Sequence, residues 1–185
     1  SLRIAELLAE DHFLLSPSTL LGIHRHLFTD VFSEEIPVGK FRKVNITKKE
    51  PVLDGDTVQY SSHFMIQDTL VYDFEREQNF SYAGLTNEQK ALHAMTFLAD
   101  IWQVHPFREG NTRTVAVFGI QYLRKLGFHI DNSLFSEHAA YFRNALVLYH
   151  YHGEKQDKQF LKMFFENLLM GKKNILSDEE MYSKK

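Results

Sequence analysis

Residues 105 to 113 read His-Pro-Phe-Arg-Glu-Gly-Asn-Thr-Arg, a base, an acid, a glycine and a cationic fork within one short stretch. Gly110 opens backbone conformations closed to other residues, and the apolar run from Asn111 predicts a helix whose first N–H groups lack partners inside it. Such a loop holds an anion. The helix dipole favours phosphate there, and Arg113 in the first turn reaches phosphate oxygens with paired N–H groups. Glu109 is the acid in this basic setting, and a carboxylate beside bound phosphates is the usual holder of magnesium, which keeps several waters and bridges phosphate oxygens. His105, whose unperturbed pKa of about 6.5 suits a general base near neutrality, stands a few residues earlier and can take a proton from a hydroxyl.

The elements that must position this segment are helical. Thr86 and Gln89 form a capping-box start for a helix to about Gln103, packing Leu92, Met95, Phe97, Leu98 and Ile101. Asn111 to Leu126 reads as a buried helix stopped by Gly127. Upstream, Ser16-Pro17 caps a helix to about Phe32, with Leu20, Leu21, His24, Leu27, Phe28 and Val31 at helical spacing. Ser1 to Ala9 also carries apolar residues at helical spacing. Ser62 to Glu77, Glu137 to Tyr149 and Asp157 to Met170 predict further helices, the last stopped by Gly171. Phe41 to Thr57 differs: short β-favouring pieces separated by turn residues, as in a small hairpin or flap. The polar tail from Lys172, with lysine pairs at Lys172-Lys173 and Lys184-Lys185, predicts a frayed end or one short helix. The sum is an all-α domain with one small β-hairpin.

Composition narrows the chemistry. The 185 residues carry no cysteine, which removes disulfide scaffolds, Cys-ligated zinc, iron–sulfur clusters and thiol nucleophiles, and fits a reducing compartment. A formal charge of -3 argues against a domain built chiefly to neutralise nucleic-acid phosphates. Arg3, Glu6 and Glu10 break the N-terminal apolar run, so it predicts neither a signal peptide nor a membrane span, and the chain is expected to be soluble and cytoplasmic.

With these residues in view, His105-Pro106-Phe107-Arg108-Glu109-Gly110-Asn111-x-Arg113 resembles the signature of the Fic (filamentation induced by cAMP) domain family, of the cell filamentation protein type, whose pattern is His-x-Phe-x-Asp/Glu-Gly-Asn-x-Arg. The segments 23–32 and 39–46 resemble the family's upstream helix and the strand leading into its flap. The resemblance divides the chain into an N-terminal helix or extension (1–16), a Fic domain (17–170) and a tail (171–185).

It implies a protein adenylyltransferase that moves AMP from ATP to a Tyr, Thr or Ser hydroxyl of a target protein. His105 would be the general base and Glu109 the magnesium ligand. The amides of Gly110, Asn111 and Thr112, the Asn111 side chain and Arg113 would hold the phosphates, and Phe107 would anchor the loop in the core. A flap of about Thr47 to Thr57, with Thr47, Lys48, Lys49, Glu50 and Pro51 foremost, would pair with an extended target segment through main-chain bonds. Two positions depart from the family's longer pattern: Thr112 stands for a glycine, and Ala116 for a second arginine associated with the γ-phosphate. These departures keep two alternatives open, a nucleotide-binding regulatory module with weak or lost transfer, and transfer of another phosphate-containing group. The family's inhibitory helix motif is absent from these residues, which leaves inhibition to a partner protein, to upstream residues, or to none.

Other polar clusters carry less. His24 with His26 and His150 with His152 stand at i, i+2, which points them to different helix faces and lacks metal spacing. No Gly-x-Ser-x-Gly elbow supports a serine nucleophile.

Overall fold

Thr86 opens the longest helix by a reciprocal exchange: its hydroxyl accepts from the Gln89 N–H at 3.1 Å, and the Gln89 side chain accepts from the Thr86 N–H at 2.9 Å. The computed structural model describes residues 1–183, so of the tail's two lysine pairs Lys184-Lys185 lies outside the described residues. Nine α-helices occur among the described residues: α1 (Leu2–Ala9), α2 (Pro17–Phe28), α3 (Ile66–Gln78), α4 (Asn87–Val104), α5 (Asn111–Lys125), α6 (Ser133–Glu137), α7 (Ala139–His150), α8 (Gln159–Met170) and α9 (Asp178–Ser183). The middle of the fold is α4 and α5. Helix α4 packs on α3, α5, α7 and α8, while α5 packs on α1, α2 and α4.

Helix α5 is buried from Thr114 to Leu123, apolar on most sides and therefore held by packing all round. At Gly119 a Cβ would stand 3.1 Å from Leu98, so the missing side chain lets α4 and α5 approach closely. Helix α1 adds Ile4 and Leu7 to the same core, and its last carbonyls are held from α5: Gln121 Nε2 donates to Leu7 O at 3.1 Å and Arg124 Nη1 to Leu8 O at 2.8 Å. On the far side, the buried Glu77 carboxylate accepts from Tyr82 and Tyr122 hydroxyls, both at 2.6 Å, tying α3 to α5.

Several boundaries differ from expectation. Helix α2 stops at Phe28, because the chain turns at Asp30 with φ 64°, which leaves Val31 beyond the helix and 55% exposed. Leu92 of α4 faces out at 52% exposure. The expected start at Ser62 is a short 3₁₀ turn, His63–Met65, ahead of α3. The stretch expected from Glu137 is preceded by the short helix α6, broken from α7 at His138.

The expected β-hairpin is corrected to an unladdered flap: no β-strand occurs among the described residues. The physical reason lies in where the arms' polar groups go. The carbonyls of Val44 and Ser61, which facing strands would share, both accept from the Arg42 guanidinium. Lys48 N–H turns to the Thr57 hydroxyl at 3.3 Å. Pro51 has no N–H to give and opens a 3₁₀ turn (Pro51–Leu53), so the main-chain bonds across the tip are those of Glu50, whose N–H donates to Asp56 O and whose O accepts from Gly55 N–H, both at 2.9 Å.

Candidate active site

His105 ends α4 in the left-handed region, φ 51° and ψ 60°, a conformation that costs a non-glycine residue about 1 kcal/mol or more. The turn carries the ring back over its own helix, where Nδ1 lies 2.9 Å from Trp102 O and must donate to it. That bond fixes the tautomer: Nδ1 bears the proton and Nε2 a free lone pair, and Nε2 is buried without a partner. Tyr60 stacks on the ring at 4.0 Å and Trp102 meets it edge-on at 4.9 Å. Burial, reinforced by the nearby Lys48 charge, holds the imidazole well below its ordinary pKa, so it is neutral at pH 7.

The next residues are pinned from elsewhere in the fold. Phe107 is buried and stacks at 3.9 Å on His24, whose Nε2 donates to Glu109 O at 2.8 Å and whose Nδ1 accepts from Gly39 N–H at 2.9 Å. Asn111 closes the loop on itself: its Oδ1 accepts from Phe107 N–H at 2.9 Å and its Nδ2 donates to Phe107 O at 2.7 Å. The Asn111 side chain is thus spent on the loop, and what it offers an anion is its backbone N–H. Gly110 has φ 84°, and a Cβ there would fall 2.4 Å from Phe28, so both conformation and space demand glycine.

No side chain caps α5, so its first-turn amides face outward unclaimed. Thr112 turns its hydroxyl inward to accept from Trp102 Nε1 at 2.9 Å. Arg113 is exposed and lies over the Phe28 ring at 5.7 Å. Glu109 is exposed too, with Lys48 Nζ 3.5 Å from its carboxylate. His105, Glu109, Gly110, Asn111, Thr112, Arg113 and Lys48 all line one cavity of about 720 Å³, together with Ala116, Arg143 of α7, and Ser1 and Ile4 of α1.

Of the five flap residues singled out by sequence, Lys48 lines the cavity, Thr47, Lys49 and Pro51 are exposed, and Glu50 is buried at 1% exposure. The Glu50 carboxylate is gripped by Arg143 through two bonds of 2.6 and 2.7 Å, an anchor for the flap rather than a docking contact. No group of three or more His, Asp or Glu side chains among the described residues could hold a metal alone. A single exposed carboxylate beside uncapped amides does suit magnesium, which fills its remaining positions with phosphate oxygens and water.

The model of the Fic/DOC family matches residues 14–123, more than half of the chain and the whole of this loop. The chain belongs to the Fic/DOC family. Among curated Fic relatives, the protein adenylyltransferase VbhT of Bartonella schoenbuchensis is 32% identical over 112 residues, covering 59% of this chain and 21% of that protein. The probable protein adenylyltransferase y4lH of Sinorhizobium fredii is 32% identical over 122 residues, 60% of this chain and 54% of that one. The chain spans about a fifth and about half of these relatives' lengths.

Solved Fic structures share the fold at lower identity. BepC of Bartonella tribocorum, with bound AMPPNP, superposes with a TM-score of 0.69 at 20% identity, covering 90% of this chain and 80% of that one. The N-terminal Fic domain of a cell filamentation protein from Bartonella quintana, with bound ADP, gives 0.69 at 23%, covering 90% and 78%.

Three residues that hold the Fic loop and its flap escaped the sequence. Arg42, His24 and Arg143 reach the site through contacts spanning 63, 85 and 93 positions. His24 offered a faint signal, a histidine on the apolar face of α2, where an imidazole needs a partner. Arg42 stood within the 39–46 segment of the resemblance with no role of its own, and Arg143 carried no signal.

Proposed function

We propose that this chain is a protein adenylyltransferase that moves AMP from ATP to a Ser, Thr or Tyr hydroxyl of a target protein. The observation that carries this is the juxtaposition, on one cavity, of an unpartnered neutral His105 Nε2 and the uncapped first turn of α5. The names of VbhT and y4lH support it. In the reaction His105 Nε2 takes the hydroxyl proton as the target oxygen attacks the α-phosphorus. The new O–P bond forms while the bond from that phosphorus to the bridging oxygen breaks, and pyrophosphate leaves with the electron pair. The amides of Gly110, Asn111 and Thr112 and the Arg113 guanidinium stabilise the charge on the phosphate oxygens. Glu109 would hold magnesium, which when bound neutralises phosphate charge. The flap, its main-chain groups unladdered, lines up the target segment. We infer a cytoplasmic setting, a reading that the cysteine-free sequence and the use of ATP support.

Incubation with labelled ATP and lysate should label the chain or a target, with loss of the label in His105→Ala; no label from any nucleotide would overturn the assignment. A second reading, nucleotide binding without transfer, is favoured by Ala116, which lines the cavity at the position where the family's longer pattern has an arginine. Calorimetry separates them: tight ATP binding with no turnover on any target favours the regulatory module. Transfer of a different phosphate-containing group would show as a different added mass on the modified target.

A further inference from the structure

Arg42 is 2% exposed, and none of its hydrogen bonds meets a carboxylate. A buried cation without an acid partner is expensive, and an apolar side chain of similar shape would suit a core better. Its donors go to main-chain carbonyls on three separate segments. Nε donates to His105 O at 2.7 Å, and Nη2 donates to Val104 O at 3.2 Å and to Ser61 O. Nη1 donates to Val44 O at 2.8 Å, and the residue's own N–H donates to Pro106 O at 2.9 Å. Val44 and Ser61 lie at the feet of the flap's two arms; Val104, His105 and Pro106 are the turn that presents the base. A planar fork with divergent N–H groups can serve all of these at once, which a single ammonium cannot.

The other half of the loop is held without it. Asn111 fixes both sides of Phe107, and His24 fixes the Glu109 carbonyl. The phosphate cradle and the base therefore hang from different anchors. We propose that Arg42 is a positioning residue for the transfer: its guanidinium holds His105 in the left-handed turn and ties that turn to both feet of the flap, so that base and target segment stay in register. This rests on the adenylyltransferase assignment for its kinetic consequence, though not for its structural one.

The test compares wild type with Arg42→Lys and Arg42→Gln. Transfer from labelled ATP should fall in kcat on the order of 10²-fold in both, as expected when a reacting group is displaced by about 1 Å. KM for ATP and calorimetric Kd for ADP should stay within about twofold, because uniform binding is untouched. Nitrogen-15 NMR of the imidazoles, assigned with His105→Ala, should show a single Nδ1–H tautomer for His105 in wild type and a mixture in the variants. This spectrum needs neither target nor nucleotide, so it decides on Arg42 even if the wild-type chain transfers nothing. An unchanged His105 signal, or ADP affinity lost in step with kcat, would overturn the proposal. Should Arg42→Gln fail to fold, Arg42→Lys, which keeps the charge but gathers its donors on a single nitrogen, is read alone by the same criteria.

Discussion

His105 gathers three features with one chemical consequence: a left-handed turn, a Nδ1–H bond spent on Trp102 O, and a buried Nε2 with no partner. A base is useful only when unprotonated. Because burial and Lys48 hold this ring below its ordinary pKa, the neutral form persists as pH falls through about 6.5 and is lost only at lower pH. The acid limb of the kcat profile should therefore lie below pH 6.5. Lys48→Met removes a nearby positive charge, so the limb should move to higher pH; a limb that stays put would show that burial alone sets it. Gly110 makes a second prediction at this scale. Gly110→Ala meets Phe28 at 2.4 Å with φ 84°, and should destabilise the chain by about 2 kcal/mol or more in urea denaturation while weakening ADP binding. At this scale the sequence was most legible, because Glu109, Gly110, Asn111, Thr112 and Arg113 are chain neighbours and local geometry alone sets them on one cavity. What it could not show was the direction of each side chain: Asn111 and Thr112 look alike as polar motif positions, yet both turn inward.

Between the helices, the flap shows how a local pattern can be right about an excursion and wrong about its bonding. Phe41 to Thr57 has the β-favouring pieces and turn residues of a hairpin, but a guanidinium from within the stretch takes the carbonyls a ladder would need. No periodicity rule sees a side chain reaching across to main chain. The same holds at Glu50, polar and set beside Pro51 like any turn residue, yet buried against Arg143. Removing Arg143 leaves that carboxylate buried without its partner, and Arg143→Ala should cost about 3 kcal/mol in denaturation, with faster proteolysis across residues 48–57. Arg143→Ala combined with Glu50→Gln should recover part of the loss, since the stranded charge is gone. The helices themselves were legible wherever caps and apolar spacing agreed, as at Thr86 and Ser16. They slipped where the chain bends at an ordinary residue, as at Asp30 and His138.

Taken as one molecule, the fold buries three imidazoles, His24, His105 and His150, all held below their ordinary pKa by burial, His150 at about 4. As pH falls below about 6.5 the unfolded chain takes up protons on these rings that the folded chain refuses, so the stability they contribute is complete above that pH and is lost below it. Asp73, pushed up to about 6 by burial and the neighbouring Asp100, works in the opposite sense, as does Asp100, raised by its own burial. With three rings against two carboxyls, lowering the pH from 7 to 5 should reduce the unfolding free energy. Urea midpoints across that range would check it, and equal or greater stability at pH 5 would contradict it. No helix among the described residues is long and apolar enough to cross a membrane.

Helix α1, which precedes the family match at residue 14, is stitched to α5 through Leu7 and Leu8 and brings Ser1 to the wall of the cavity. Any chain that precedes Ser1 therefore enters beside the cavity that the motif lines. An affinity handle placed directly ahead of Ser1 would compete with ligands for the same space. A fluorophore at Ser1 would in turn report occupancy of the cavity directly.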